Sequence, residues 1–373
     1  MVNLFKYLSK PYPVESIDKF SKIIIYGAGN TGKEVLRVLR GLSGVEVISF
    51  MDLRASKDFS IDGIPVFHPE EVTISDSLRK ECLVIMAIFN RDVDLLPTAN
   101  LLKGIGFKNV ISFVQFHHFY PRELGNKYWL GPIDVYKKFE DQIKEVNSLL
   151  EDDESKMIFE SILKYRFTGS SELLTQPEGL DTQYFSKSIP SSEKKLRFID
   201  GGAYNGDTLL AMMNLGKRCE AVTSFEPDLL NFNELVDFSL QNKGKIADEI
   251  NLLPCAVWSK TEYLKFNSNS TEASSVSAEG LNTILGVSID ETIPDFRPTF
   301  IKMDIEGAEI EGLLGAVQTI KEFRPGLGIC IYHTPEHLWE IPLLIKSWGL
   351  NYSFHVRAHG NNGFDLVLYA IPH

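Results

Sequence analysis

The sequence predicts an α/β protein with two domains, each built on a mainly parallel sheet, joined by a helical connector. Apolar strand-like runs alternate with amphipathic helical patterns along most of the 373 residues. A glycine-rich turn joins a strand to a helix twice, at Gly27–Gly32 and at Gly201–Gly206. Between these two blocks the alternation gives way to helical and loop-like patterns. The predicted domains are therefore residues 1–125 and 193–373, with residues 126–192 as the helical connector and linker.

Composition and charge exclude several classes of protein. Apolar residues make up 44% of the chain and charged residues 24%, which excludes a disordered or collagen-like protein. The net charge of −12 provides no basic field that would attract nucleic acid or anionic lipid. The longest apolar run, Cys82–Phe89, is far below the ~20 residues that span a bilayer, and no signal-peptide pattern is present. Four cysteines, none at metal-binding or redox-motif spacing, suit a reducing compartment, so we expect a cytoplasmic protein. Whether the chain forms a homo-oligomer stays open.

The first domain begins with a buried strand, Lys22–Tyr26, and a turn whose glycines form a dinucleotide-type fingerprint. Gly27 allows the tight turn, Gly29 allows a phosphate to approach the backbone, and Gly32 allows close packing of the following helix. Asp52 ends the next strand 20 residues after Gly32, which is the position for binding a ribose diol. Further strands are predicted at Val45–Phe50, Cys82–Ile88 and Asn109–Phe113.

Three interpretations of this loop stay open: it binds a nucleotide or nucleotide sugar, it binds NAD(P), or it shapes the fold without a ligand. An NTPase loop is excluded because Glu34 stands where Ser or Thr would hold Mg²⁺. Together with Asp62-Gly63-Ile64-Pro65-Val66, Asp52 resembles the pattern of the small Rossmann-like N-terminal domains of sugar-modifying enzymes, including nucleotide-sugar acetyltransferases. If the loop binds a nucleotide or nucleotide sugar, the fingerprint assigns that binding to Gly27, Gly29, Gly32 and Asp52.

The connector is predicted to contain two helices, Ile133–Leu150 and about 157–165, followed by a loop over residues 168–192. The charge run Glu151-Asp152-Asp153-Glu154 between them is interpreted as a solvated junction rather than a metal site.

The second domain is predicted to end in an antiparallel hairpin. Its last two strands are joined by His359-Gly360-Asn361-Asn362-Gly363, whose Asn-Gly step is typical of a tight turn. The Ser-rich stretch Asn267–Glu279 is predicted as a surface loop that could serve as a lid. The seven strands are predicted at Arg197–Ile199, Ala221–Phe225, Asn251–Val257, Thr299–Met303, Leu327–Tyr332, Tyr352–Val356 and Asp365–Ala370.

The second glycine loop differs from the first because a carboxylate, Asp200, ends the strand before it. Asp200 is positioned to neutralise the amino group of a ligand, while Gly201 and Gly202 let the backbone approach that ligand. Glu226 ends the next strand, 20 residues after Gly206, where it can bind both hydroxyls of a ribose. An acid for an amino group together with an acid for a ribose fits S-adenosylmethionine better than NAD.

The most distinctive stretch is Ile301-Lys302-Met303-Asp304-Ile305-Glu306-Gly307-Ala308-Glu309. Alternation along the strand puts Asp304 and Glu306 on one side at its carboxyl end, where ligands of open α/β sheets bind. Because adjacent carboxylates repel each other, we interpret this pair as functional. Glu309 is interpreted as a first-turn acid stabilised by the helix dipole.

These segments resemble the FkbM family of S-adenosylmethionine-dependent methyltransferases over residues 196–373. The matching segments are FIDGGAYNGDT, SFEPD, IKMDIEGAE, ICIYHTPEHLWEIP and DLVLYA, in the family's order. The resemblance implies a seven-stranded methyltransferase sheet and O-methylation, often of sugars or glycosylated natural products. It implies a cofactor site made of Asp200, Gly201, Gly202, Ala203, Tyr204, Gly206, Asp207, Thr208, Glu226 and Asp304. It also implies that Asp304, Glu306 and His333 lie near the reacting centre.

Methylation of a hydroxyl calls for a general base. His333 ends the fifth strand of this domain, beside the strand that carries Asp304 and Glu306. A histidine ordinarily titrates near neutral pH, so His333 is the first choice as base and Glu306 the second, with a structural role for His333 as the alternative. The three side chains also suit a divalent cation, but no ligand spacing demands one and no metal is predicted.

The sequence therefore predicts an S-adenosylmethionine-dependent O-methyltransferase that acts on a carbohydrate, nucleotide-sugar or glycan hydroxyl. Two other functions stay open. One is a nucleotide-sugar or NAD-linked oxidoreductase that uses Gly27–Gly32, and the other is a non-catalytic cofactor-binding scaffold.

Overall fold

The computed structural model of the chain describes residues 5–6, 14–56, 58–71, 73–190, 195–267, 275–276 and 280–373. The chain divides into two compact units, and both are α/β, as predicted. Residues predicted as the connector are divided between the units. The first unit comprises Met1–Glu140, Ile158–Gln176 and Asn361–Phe364, and the second comprises Asp141–Met157, Pro177–Gly360 and Asp365–His373. Within the described residues no helix is long and apolar enough to cross a membrane.

The first unit is built on a six-stranded sheet. Its strands are β1 (Lys22–Tyr26), β2 (Glu46–Met51), β3 (Ser60–Ile61), β4 (Ile64–Phe67), β5 (Leu83–Met86) and β6 (Asn109–Ser112). Its helices are α1 (Asn30–Leu39), α2 (Asp76–Glu81), α3 (Leu95–Gly104), α4 (Phe113–Phe119), α5 (Pro121–Leu124) and α6 (Asp134–Lys138). The strand order is β3-β4-β2-β1-β5-β6, and all neighbours are parallel except β3 and β4. β1 and β5 are almost entirely buried, as is usual for parallel strands covered on both faces.

The β3–β4 hairpin was not among the predicted elements. Its two-residue turn is Asp62-Gly63, and both residues have positive φ, 49° and 81°. An Asp-Gly step is a strong hairpin signal because a type I′ turn needs two left-handed residues. The strands it joins are too short to show an alternating pattern, and Pro65 interrupts the second one.

The helices after the first sheet differ from the prediction in their bounds. The predicted helix over 133–150 is broken at Phe139, which separates α6 from α7 (Glu140–Leu149). The next helix, α8 (Asp153–Thr168), is longer than predicted at both ends. Short 3-10 turns follow at Ser171–Leu173 and Leu180–Thr182.

Glu151, Asp153 and Glu154 of the charge run are exposed, as a solvated junction predicts, whereas Asp152, just before α8, is partly buried. Its carboxylate accepts a hydrogen bond from the backbone N–H of Ser155 and contacts His355 and Arg357, both of which are buried. These contacts hold the pKa of Asp152 well below its usual range, although burial acts in the opposite direction. Asp153, by contrast, is exposed.

Replacing Asp152 with alanine should lower the free energy of unfolding by about 1–3 kcal/mol, because it removes the helix cap and a partner of a buried guanidinium. Urea denaturation followed by circular dichroism measures this loss. Asp153→Ala, which removes the same charge from an exposed position, is the matched control and should change stability by less than about 0.5 kcal/mol. Equal losses in the two variants would contradict the role given to Asp152.

The second unit contains a seven-stranded sheet and a smaller four-stranded sheet. Its strands are β7 (Arg197–Gly201), β8 (Cys219–Phe225), β9 (Ala247–Leu253), β10 (Ala256–Val257), β11 (Glu262–Asn267), β12 (Ser275–Val276), β13 (Asn282–Val287), β14 (Phe300–Met303), β15 (Gly326–Cys330), β16 (Tyr352–Ala358) and β17 (Leu366–Pro372). Its helices are α9 (Asp207–Asn214), α10 (Leu229–Gln241), α11 (Ile289–Thr292), α12 (Glu309–Leu314), α13 (Val317–Phe323) and α14 (His337–Ser347).

The large sheet has the strand order β16-β17-β15-β14-β7-β8-β9. The strands from β15 to β9 are parallel, and β17 is antiparallel to both β15 and β16, so the predicted seven strands and closing hairpin are confirmed. In the turn between β16 and β17, the N–H of Phe364 donates to the carbonyl of Asn361, while Asn362 and Gly363 have positive φ. This is the geometry that the Asn-Gly step predicts. One core cluster of this unit includes Phe198 and Val222 from the sheet and Leu209 and Leu235 from α9 and α10.

The four-stranded sheet, with the order β10-β13-β11-β12, was not predicted. The pattern predicts one strand over residues 251–257, whereas the structure ends β9 at Leu253 and starts β10 at Ala256 in the other sheet. The interruption is Pro254-Cys255, since proline cannot donate to a strand ladder. Most of the stretch predicted as a lid, 268–274 and 277–279, lies outside the described residues.

Candidate active site

The predicted site residues of the second unit meet at one edge of the seven-stranded sheet. β15, β14, β7 and β8 are adjacent and parallel, so their carboxyl ends lie together. The loop after β7 carries Gly202, and Glu226 follows β8. Asp304 follows β14, and His333 lies three residues after β15. The direction of strand order reverses between β7 and β14, which is where ligands of open α/β sheets bind.

The glycines of the loop after β7 are required by packing within the protein. A Cβ on Gly202 would lie 1.9 Å from the carbonyl oxygen of Asp304, and Gly202 has a φ of 74°. A Cβ on Gly206, whose φ is 93°, would lie 2.7 Å from the ring of Phe238. Any side chain at these positions would therefore displace the loop from β14 or α10. The sequence suggests close approach to a ligand, but it does not reveal these contacts.

Asp200 forms a buried ion pair with Lys302. The Lys302 ammonium donates to Asp200 Oδ1 at 2.8 Å and to the carbonyl of Gly202 at 2.5 Å, and both side chains are almost fully buried. Burial lowers the pKa of Lys302, but the negative charge of Asp200 outweighs it and holds that pKa above its usual range. Among the described residues, Asp200 Oδ2 has no hydrogen-bond partner. Lys302 was not among the predicted site residues, although it lies on the same side of its strand as Asp304.

Glu226 holds the loop between β7 and α9 in place. Its carboxylate accepts hydrogen bonds from the N–H groups of Tyr204 and Asp228, both shorter than 3 Å. Burial raises the pKa of Glu226 to about 7, and these hydrogen bonds limit the rise. Thr208 donates its N–H to Asp207 at the first turn of α9, and Ala203 is fully buried. The predicted cofactor-binding residues therefore surround one loop.

Asp304 and Glu306 lie on the turn that follows β14. The hydroxyl of Tyr184 donates to Asp304 Oδ2 at 3.0 Å. Side chains of Asp304 and Glu306 are about one quarter exposed, so they face accessible space. Glu306 has a φ of 54° and Gly307 one of 98°, and a left-handed conformation is unfavourable for glutamate. Strain of this kind is common where a backbone must present a functional side chain.

His333 lies among carboxylates. Its Nδ1 is 2.9 Å from Glu309 Oε1, and its Nε2 is 3.3 Å from Asp304 Oδ1 and 3.7 Å from Glu306 Oε2. Burial lowers the pKa of His333, but the negative charges of Glu309, Glu306 and Asp304 outweigh it and raise that pKa to about 10. His333 therefore carries a proton at neutral pH, when it cannot accept another. This geometry favours Glu306 over His333 as the acceptor of a proton.

Glu309 has more contacts than its interpretation as a first-turn acid stabilised by the helix dipole implies. It does lie in the first turn of α12, but its side chain is completely buried. Its oxygens lie 2.9 Å from His333 Nδ1 and 3.1 Å from His337 Nδ1, and the N–H of Ile305 also donates to it. The two histidines outweigh burial and hold the pKa of Glu309 below its usual range. In the sequence, the signal for this cluster is the pair of histidines, His333 and His337, four residues apart.

Three side chains of this cluster also lie close enough together to hold a divalent cation. One ligand atom from each of Asp304, Glu309 and His333 falls within 4.8 Å of the others. Oxygen and imidazole donors suit several divalent metals. The close contact of His333 with Glu309 is equally explained by a proton on the imidazole, so no metal is assigned and its absence stays a prediction.

The glycine loop of the first unit has the geometry that its fingerprint suggests. A Cβ on Gly32 would lie 2.1 Å from the carbonyl oxygen of Gly27, so only glycine lets α1 pack on the turn. No heavy atom lies within 4 Å of a Cβ built on Gly29, which leaves space beside the backbone. Asp52 is buried and accepts hydrogen bonds from the N–H groups of Ala28 and Arg54, so it already fixes the loop.

Each of the two units contains one match to a known protein family. Residues 200–358 match the family described as Methyltransferase FkbM domain. The chain contains an FkbM methyltransferase domain. Residues 22–93 match the PglD N-terminal domain, so both resemblances noted in the sequence are confirmed. No curated protein gives a significant match.

A methyltransferase FkbM from Methylobacillus flagellatus has a similar structure. It aligns with a TM-score of 0.77 over 99% of this chain and 93% of its own, at 22% sequence identity. At that identity the likeness shows the fold alone. An engineered D-amino acid dehydrogenase bound to NADP+ and the C. glutamicum DAP dehydrogenase each align over 63% of this chain and about 71–72% of their own, at 12% identity. Their TM-scores are 0.23 and 0.25, too low to support any conclusion.

Proposed function

We propose that this protein is an S-adenosylmethionine-dependent O-methyltransferase that acts on a hydroxyl of a sugar, nucleotide sugar or glycan. The observation that carries the proposal is the juxtaposition of two features at one sheet edge of the FkbM domain. One is the glycine loop after β7 with the neighbouring carboxylates of Asp200 and Glu226, and the other is the cluster of Asp304, Glu306 and His333 after β14 and β15. Four free, buried cysteines accord with our expectation of a cytoplasmic protein.

The loop residues fit the groups of S-adenosylmethionine in charge and hydrogen-bonding capacity. Asp200 Oδ2, buried and without a hydrogen-bond partner among the described residues, would accept from the amino group. Each oxygen of Glu226 accepts one backbone hydrogen bond and retains capacity for a ribose hydroxyl. Gly201, Gly202, Ala203, Tyr204, Gly206, Asp207, Thr208 and Asp304 would complete the site. The bound cofactor would supply an electrophilic methyl group.

Glu306 takes the proton of the acceptor hydroxyl in this proposal. Like Asp304 it is about one quarter exposed, but Asp304 already accepts a hydrogen bond from Tyr184, and the turn presents Glu306 from a strained backbone. The protonated His333 lies between Asp304 and Glu306, and its positive charge keeps two carboxylates close that would otherwise repel. Glu309 holds that imidazole from the opposite side. Much of the rate enhancement then comes from holding the acceptor oxygen in line with the methyl group.

The carbohydrate acceptor is supported by the first unit. Its match to the PglD N-terminal domain agrees with the resemblance to the Rossmann-like N-terminal domains of sugar-modifying enzymes. The space beside Gly29 suits a phosphate, and so does the N-terminus of α1, which no described side chain caps. Backbone N–H groups and the helix dipole at such a terminus attract anions. Gly27, Gly29, Gly32 and Asp52 are the residues we assign to a nucleotide or nucleotide sugar bound by the first unit.

The proposed reaction is tested by incubating the full chain with methyl-labelled S-adenosylmethionine and a panel of sugars, nucleotide sugars and oligosaccharides. We expect label in at least one acceptor and none with Asp200→Ala/Glu226→Ala, which loses two carboxylates assigned to the cofactor. Calorimetry with S-adenosylhomocysteine tests cofactor binding separately. Undiminished binding by that double variant would contradict the assigned cofactor site. Labelling of only non-carbohydrate hydroxyls would contradict the acceptor class.

The affinity of the adenosine half of the cofactor should depend on pH through Glu226. An ionised carboxylate accepts hydrogen bonds from a ribose better than a protonated one. With a pKa of about 7, the fraction ionised rises across neutrality, so binding should be about tenfold weaker at pH 6 than at pH 8. Calorimetry with 5′-methylthioadenosine, which has no amino or carboxyl group, measures this change. Glu226→Gln is the control and should bind more weakly with no such dependence.

A further inference from the structure

A cavity of about 920 Å³ lies at the opposite edge of the seven-stranded sheet from the candidate active site. Its lining includes Leu196, Thr299 and Gly326, which lie at the amino ends of β7, β14 and β15. The candidate active site lies at the carboxyl ends of the same strands. The volume is within the range of ~300–1,000 Å³ that is usual for small-molecule sites. No residue of the proposed methyl-transfer site lines this cavity among the described residues.

The cavity is basic in a chain whose net charge is −12. Lys187, Lys195, Lys217, Arg218 and Arg324 line it, and no aspartate or glutamate is among its described lining residues. Lys195 and Arg218 are partly neutralised by Glu220 and Asp248. Lys187 and Lys217 are exposed and form no ion pair with any described carboxylate. A concave surface lined by one sign of charge concentrates ions of the opposite sign.

The same cavity has an apolar wall. Phe185, Phe300, Phe323 and Ile371 line it, and all four are partly buried. Aromatic side chains of this kind stack on planar rings, whereas lysine ammonium groups contact phosphate as point charges. We propose that this cavity binds an organic phosphate that carries an aromatic ring. A dianionic phosphate matches several adjacent cations better than a single carboxylate does.

Tyr184 connects this cavity to the candidate active site. It lines the cavity, it has a φ of 66°, and its hydroxyl donates to Asp304. A ligand in the cavity therefore contacts a side chain that hydrogen-bonds to the acidic cluster. The binding proposal itself does not depend on the proposed methyl transfer, because the two sites lie at opposite edges of the sheet.

The test uses the full chain saturated with S-adenosylhomocysteine and 1-naphthyl phosphate as probe, followed by calorimetry. We expect one site that binds 1-naphthyl phosphate at least about tenfold more tightly than either inorganic phosphate or 1-naphthol, since each of these lacks half of the recognised chemistry. Hydrogen exchange should slow in residues 184–190 and 323–328, which flank the cavity. Absence of binding, or equal affinity for inorganic phosphate, would overturn the proposal.

Reversing the charge of two exposed lysines that line the cavity tests whether the probe binds there. Lys187→Glu/Lys217→Glu should weaken binding of 1-naphthyl phosphate at least about tenfold, because two attractive charges become repulsive. Both side chains are exposed, so the fold should be retained. Lys243→Glu/Lys245→Glu, an equal charge change at exposed positions outside the lining, is the control and should change affinity by less than about threefold. Equal effects of the two double variants would mean that the probe binds elsewhere or responds only to net charge.

Discussion

Replacing Lys302 with methionine should lower the free energy of unfolding by about 3–5 kcal/mol, the largest loss of stability we expect from a single substitution in this protein. Lys302 and Asp200 are almost completely buried, and their side chains are 2.8 Å apart. Methionine fills a similar volume but leaves Asp200 as an uncompensated buried charge. Urea denaturation monitored by tryptophan fluorescence measures the loss.

Two further variants separate the ion pair from the loss of packing. Lys321→Met on α13 removes a lysine from an exposed position and should change stability by less than about 0.5 kcal/mol. Lys302→Met/Asp200→Leu removes both charges and should recover most of the stability, since a buried pair replaced by apolar groups is often neutral. The double variant should still fail to bind S-adenosylhomocysteine if Asp200 contacts the cofactor. If the double variant is no more stable than Lys302→Met, the unpaired carboxylate is not the cause of the loss.

The stability of the single variant Lys302→Met should depend on pH. In Lys302→Met, the isolated and buried Asp200 would take up a proton more readily in the folded state than in the unfolded state. Its folded-state pKa is then the higher one, so stability falls as the pH rises from the unfolded pKa through the folded pKa. The loss relative to the wild type should therefore be smaller at pH 5 than at pH 8.

Strands that consist of a continuous apolar run, and turns that contain an Asn-Gly step, could be predicted from the sequence. The buried run at Lys22–Tyr26 matches β1 at both ends, and the Asn362-Gly363 step forms the expected turn. The Asp62-Gly63 step does indicate the β3–β4 hairpin, but β3 has only two residues, as do β10 and β12 of the four-stranded sheet, and strands this short show no periodicity. In the connector, Asp152 pairs with residues about 200 positions away, and no local pattern encodes such a contact.

For the candidate site, the sequence indicates which strand ends carry acids but not which charges meet. Asp304, Glu306 and His333 are brought together as expected, because neighbouring parallel strands end at one edge. The position of Glu309 depends on the packing of α12 against α14, so the spacing of the two histidines does not reveal that Glu309 is the carboxylate between them. The same carboxylates raise the pKa of His333, and the ordinary pKa of histidine does not include their effect.

Replacing Glu306 with glutamine should lower kcat for methyl transfer by about 10²–10⁴-fold, because an amide cannot accept the proton that the acceptor hydroxyl releases. The affinity for S-adenosylhomocysteine should stay within about twofold of the wild type, since Glu306 is not assigned to cofactor binding. Glu322→Gln, at an exposed position on α13, is the matched control and should leave kcat within about twofold. Retention of more than about a tenth of the wild-type kcat in Glu306→Gln would exclude Glu306 as the base.

The pH profile of the wild type distinguishes Glu306 from His333 as the base. If His333 works in its protonated form, kcat/KM should be high at neutral pH and decline as the pH passes about 10, where the imidazolium loses its proton. A base at His333 requires the reverse, with kcat/KM increasing toward that pH because only the neutral imidazole accepts a proton. Glu309→Gln removes the nearest negative charge, so the pKa of His333 should fall and the alkaline decline should move to lower pH. A purely structural role for Glu309 would reduce stability without moving the decline.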